Sequence, residues 1–137
     1  MPALDYCHPH IVHALEKDGW AVDVQPRQFY VEGRTVYIDI HAARGVNGDR
    51  QQILLAEIKC FPNRSSTTRE LYIAIGQYII YRAVLNELQN QTTLYLAIPE
   101  TVYQSIFDST VMRAINDSNI KLVIVNLEQE QIVQWNE

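Results

Sequence analysis

The chain has 137 residues, 47% of them apolar, which suffices for one domain with one core (residues 1–137) and is short for two. A formal charge of −5 excludes a protein that grips nucleic acid by bulk positive charge. With no run of about 18 apolar residues and no basic-then-apolar N-terminus, the chain reads as cytoplasmic, without a membrane segment.

The charge is unevenly spread. Residues 1–26 carry one base and four acids, residues 27–82 eight bases and five acids, and residues 83–137 two bases and seven acids, so only the middle of the chain is locally basic. Cys7 and Cys60 stand far apart, lack CxxC or Cys/His spacing, and are read as reduced thiols.

In chain order, Pro9 to Asp18 reads as a short amphipathic helix with Ile11, Val12 and Leu15 on one face, stopped by Gly19. Trp20 to Val24 alternates as a strand, Pro26 interrupts it, and Phe29 to Val31 leads to a turn at Glu32-Gly33. The second arm of that hairpin is Thr35 to Ile40, with Val36, Ile38 and Ile40 on one side and Tyr37 and Asp39 on the other. Residues 43–52 (ARGVNGDRQQ) read as a polar loop. Ile53 to Phe61 is a strand apolar on both faces apart from Glu57 and Lys59, as befits the middle of a sheet.

Pro62 to Ser66 reads as a loop, and Thr67 or Thr68 caps a long helix from about Arg69 to Gln91. On that helix Leu71, Ile75, Tyr78, Ile79, Arg82 and Leu85 lie near one broad stripe, while Glu70, Ile73 or Ala74, Gln77 and Tyr81 lie near another. Thr92 to Ile98 is a strand, Glu100 to Phe107 a helix opened by Pro99, and Val111 to Asn116 a short helical piece. Lys121 to Asn126 and Ile132 to Trp135 close the chain as two strands. The expected order is helix, three strands, long helix, strand, helix, strand, strand: an α/β (α+β) domain with a mixed sheet and helices on both faces.

Glu57 and Lys59 share one face of a strand because strand side chains repeat every two residues. If the register brings Asp39 opposite Glu57, two carboxylates converge at a point suited to Mg²⁺ or Mn²⁺, with the backbone carbonyl of Ile58 as a further ligand. Lys59 would orient an attacking water or stabilise charge on phosphoryl oxygens. The competing reading is that Glu57 and Lys59 form a supporting ion pair; against it stands the cost of two charges on so apolar a strand. Gln77 and Tyr81 can reach the same end of the sheet, and Arg64 or Arg69 can meet phosphate near the helix N-terminus. His8, His10 and His13 approximate ligand spacing but read as surface residues, and Glu16 or Asp18 could add a carboxylate. Trp20 and Trp135 read as core.

The segments MPALDYCH, ALEKDGW, VYIDI, LLAEIKCF, ELYIAIGQYIIYRAVL, LYLAIPETVY and KLVIVNLEQEQIVQW, taken in order over nearly the whole chain, resemble the XisH family, the fdxN element excision controlling factors of heterocyst-forming cyanobacteria. The resemblance implies a restriction-endonuclease-like fold of the PD-(D/E)XK superfamily. Asp39, Glu57 and Lys59 then fall on the nuclease motif, and Gln77 on a helix glutamine frequent in that superfamily. It further implies DNA as substrate, a site-specific recombinase acting in the same process, and a companion protein, XisI. Pro9 departs from the family pattern, where an acidic residue is expected.

Three functions are weighed: an excision factor with an Mg²⁺-dependent endonuclease site, a non-catalytic module pairing with an XisI-type protein or with itself, and the nuclease of a small defence or toxin-like pair. A homodimer would suit an enzyme that must cut two strands.

Overall fold

The computed structural model describes residues 6–46, 50–62 and 67–137. These form helices α1 (His8–Lys17), α2 (Thr67–Glu87), α3 (Glu100–Ile106) and α4 (Ser109–Asp117). The strands are β1 (Ala21–Asp23), β2 (Arg27–Val31), β3 (Arg34–Ile38), β4 (Ile40–Val46), β5 (Arg50–Ile58), β6 (Thr93–Pro99), β7 (Lys121–Asn126) and β8 (Gln131–Asn136). No helix among the described residues is long and apolar enough to cross a membrane.

Six strands make one mixed sheet in the order β1-β4-β5-β6-β7-β8, and β2 with β3 makes a separate two-stranded ribbon. The central trio β5, β6 and β7 is parallel, and the outer pairings are antiparallel. Parallel neighbours need crossovers, supplied by α2 between β5 and β6 and by α3 with α4 between β6 and β7.

Strand alternation divides the core in two. On one face α1 buries Ile11, Val12 and Leu15 against Ile40, Ala42, Leu54, Ala56, Ile58, Ala97 and Val123. On the other, Leu71, Ala74, Tyr78 and Leu85 of α2, with Val102 of α3 and Ile115 of α4, cover Leu55, Leu94, Leu96, Ile98, Leu122 and Ile124. Helices thus cover both faces of a mixed sheet, as the element order predicts. α1 ends where Gly19 takes φ 94°, a conformation that other residues adopt at a cost.

Several expectations are corrected. Thr35 to Ile40 is not one strand: the chain bends at Asp39 and passes from the ribbon to the main sheet; with β1 and β2 also separate and α4 a helix of its own, the described residues form twelve elements where nine were expected. The polar stretch 43–52 is not a loop but mostly the arms of β4 and β5, paired from Ile40↔Ala56 out to Val46↔Arg50. Ladder hydrogen bonds sustain this hairpin where it overhangs the core, so its side chains are free to be polar. Residues 47–49 of the first expected loop and 63–66 of the second, including Arg64, lie outside the described residues. Ile79, placed on the buried stripe of α2, is 38% exposed, because the helix turns it outward beside Ile80.

Cys7 and Cys60 are not free thiols but a disulfide. Their distance along the chain hides that the start of α1 sits over the end of β5, with the two Cα atoms 5.8 Å apart.

Tyr78 ties the α2 side together. Its hydroxyl donates to the carbonyl oxygen of Leu94 at 2.7 Å and accepts from the backbone N–H of Lys121 at 3.2 Å, linking β6 to the start of β7. Tyr78→Phe strands both backbone groups in the interior and is expected to cost about 1–3 kcal/mol. Urea unfolding should show a lowered midpoint with an unchanged slope.

Candidate functional site

The site forms where β5 leaves the sheet. The register Ile40↔Ala56, continued by one residue, sets Asp39 beside Glu57, the juxtaposition the sequence left conditional. The two residues clasp each other: Glu57 Oε1 accepts the backbone N–H of Asp39 at 3.4 Å, and Asp39 Oδ2 accepts that of Ile58 at 2.9 Å. Two residues on, the ammonium of Lys59 lies 3.7 Å from Glu57 Oε2. The Lys59 backbone N–H donates to the Ala97 carbonyl at 3.0 Å, holding this end of β5 against β6. Beyond Cys60 the chain turns sharply at Phe61, whose φ of 54° is left-handed and strained for a side chain of that size.

Glu57 is only 6% exposed. Burial, and after it the negative charge of Asp39, push its carboxyl up to about 8, with Lys59 opposing. A carboxyl in that range is protonated at neutral pH unless a cation takes the proton's place.

Tyr81, one helical turn beyond Gln77 on α2, feels the same pair: burial, then the charges of Glu57 and Asp39, push its phenol up to about 12. It therefore stays a neutral hydrogen-bond donor across the physiological range. Gln77 and Tyr81 line a groove of about 420 Å³ between α2 and β3 together with Arg34, Val36 and Tyr37. The Gln77 Oε1 atom is buried and has no hydrogen-bond partner among the described residues, so the amide has capacity left for a ligand.

The N-terminal residues do not join this site. Alternation along β5 sends Glu57 to the α2 face, whereas α1 packs on the opposite face. His10 and His13 both place Nδ1 against Glu130 Oε2, at 2.9 and 2.7 Å, tying α1 to the β7–β8 turn. Asp18 pairs with Arg44, and Glu16 is exposed on α1, so neither supplies the further carboxylate considered for the centre. His8 is buried, Trp20 is core, and Trp135 packs against Trp20 half-buried. The sequence gives no sign of the Cys7–Cys60 bond immediately beside Lys59.

No group of three or more His, Cys, Asp or Glu side chains gathers at metal-binding distance among the described residues. The donors present still fit a small hard cation. Mg²⁺ is commonly held by one or two carboxylates and keeps several waters, and two carboxyls forced together in a buried position gain from a cation between them.

A family model described as XisH protein matches residues 1–133. A search of the curated proteins finds no match. Among solved structures, the chain is similar to an XisH family protein from Nostoc punctiforme, with 35% identity and a TM-score of 0.86 over 97% of this chain and 100% of that one. It is also similar to a fdxN element excision controlling factor protein from Anabaena variabilis, with 33% identity and a TM-score of 0.83 over 95% of this chain and 97% of that one.

Proposed function

The chain belongs to the XisH family, and from that premise we propose that it is a DNA-excision factor whose working part is a metal-dependent nuclease centre on a restriction-endonuclease-like fold. The observation that carries the reading is the buried Glu57 carboxyl locked against Asp39, with Lys59 at its edge. As a structural ion pair alone this arrangement is uneconomical: the second carboxyl raises the cost of the first and leaves one ammonium to serve both.

Asp39, Glu57 and the carbonyl of Ile58 would hold Mg²⁺ or Mn²⁺. When bound, the ion supplies an activated water and charge neutralisation at a phosphodiester. The chain's own groups do the remainder. Lys59 presents a positive charge to the phosphoryl oxygens, Gln77 offers an uncommitted amide from α2, and Tyr81 donates a hydrogen bond from a phenol that does not ionise. The partners on this reading are DNA, a site-specific recombinase acting on the same element, and an XisI-type protein.

The test is cleavage of supercoiled, nicked and branched DNA by the purified protein, with and without Mg²⁺ or Mn²⁺, alone and with an XisI-type companion. Metal-dependent cutting that disappears in Lys59→Ala is the expected result. If no substrate is cut and calorimetry detects no metal binding, the nuclease reading fails. The net charge of −5 favours what then remains, a non-catalytic module that works through its protein partner. Toxicity on expression without the companion would instead point to the nuclease of a defence-type pair.

A further inference from the structure

α2 is apolar on its outer side as well as its inner one. From Arg69 onward its exposed positions are Arg69, Tyr72, Ile73, Gly76, Ile79, Ile80, Ala83, Asn86 and Glu87. Between Arg69 and Asn86 that face holds no charged or amide side chain, and Tyr72 is 70% exposed, Ile73 46% and Ile80 46%. A helix hydrophobic all round belongs in an interior, so something is to cover this one.

The pattern says what. Tyr72 and Ile79, Ile73 and Ile80, and Gly76 and Ala83 each stand seven residues apart, the repeat that keeps a seam facing a second helix. The stripe also complements itself when reversed. A two-fold axis crossing the helix at the level of residue 78 sets Ile73 against Ala83 and Ile80 against Gly76, large on small in both cases. At the ends it sets Arg69 against Glu87, opposite charges on opposite copies. Gly76 has open space where a side chain would stand, a notch ready for the facing isoleucine. We propose that the outer face of α2 is the interface of a two-fold homodimer with the helices antiparallel.

A two-fold interface must be its own complement, and this stripe meets that condition in size and in charge. Tyr37 of β3 borders the stripe across the groove lined by Gly76 and Ile80. Two tyrosines and three isoleucines are thereby exposed on one surface, the large side chains that an interface of standard size, roughly 800 Å² per partner, would cover. The same groove holds Gln77 and Tyr81, so a second copy would wall one side of each candidate site.

The test is the mass of the full chain in solution by sedimentation velocity over a concentration series. The expected result is a dimer at micromolar concentration. Ile80→Glu should weaken association by more than about 100-fold, because it buries an unpaired charge. It alters an exposed position, and an unchanged circular dichroism spectrum checks that it folds. Arg69→Glu sets like charges together twice per dimer and should weaken association about tenfold. Combining it with Glu87→Arg should restore the dimer. A chain monomeric at every concentration, with the stripe taken by a different protein, overturns the proposal. So does a dimer indifferent to Ile80→Glu, or one that the charge exchange fails to rescue.

Discussion

Metal-free protein is expected to lose several kcal/mol of stability as pH rises from 4.5 to about 8, and Glu57→Gln to remove most of that loss. The Glu57 carboxyl titrates near 4.5 in the unfolded chain and is raised to about 8 in the folded one, first by burial and then by Asp39. Between those values the folded state holds a proton that the unfolded state has released. Its stability contribution is therefore complete below 4.5, falls as pH rises, and is lost above about 8. At about 1.4 kcal/mol per pH unit the fall over that window is on the order of 5 kcal/mol. Urea midpoints from pH 5 to 9 in EDTA would measure it, and parallel curves for the wild type and Glu57→Gln would sink the idea. Magnesium should reverse the trend, because the ion displaces the proton and binds more tightly as pH rises.

Reduction of the Cys7–Cys60 bond is expected to cost about 4 kcal/mol. The bond closes a loop of 53 residues, and the unfolded chain regains that freedom when the bond is cut. Both residues are within 1% of complete burial, so the site cannot rehydrate cheaply while the fold stands. Unfolding midpoints with and without reductant, compared with Cys7→Ser/Cys60→Ser, give the value. A difference below about 1 kcal/mol would mean that packing alone holds α1 to β5.

Where one physical rule governed, the sequence could be read. Buried β6 and β7 appear as unbroken apolar runs, and α1 appears by its spacing and its glycine stop. Glu57 and Lys59 share a face because alternation allows no other arrangement along an extended strand. Asp39 was harder: its place beside Glu57 depends on a bend between two sheets, and the run VYIDIHAA carries no break that would betray it. The arms of β4 and β5 near 43–52 were hidden because pairing needs no apolar side chains where a ribbon projects beyond its helices. The outward turn of Ile79 and Ile80 was hidden because a helix apolar on every side gives periodicity nothing to distinguish. The Cys7–Cys60 pairing, set by the docking of α1 across the sheet, leaves no local trace.

The bend at Asp39 has a mechanical consequence. The ribbon of β2 and β3 hydrogen-bonds as a unit of its own and joins the main sheet at both ends, through residues 24–26 after β1 and through Asp39 before β4. It is held to α2 by side-chain packing, with Ile38 fully buried and Phe29 packed against the same cluster, and not by a ladder of hydrogen bonds. Asp39 thus stands at one of two joints of a ribbon whose far end is the Glu32-Gly33 turn. A displacement of the ribbon against the sheet would be felt at this joint, where Glu57 accepts the backbone N–H of Asp39 and Asp39 that of Ile58, and where the spacing of two carboxylates would set the hold on a small cation.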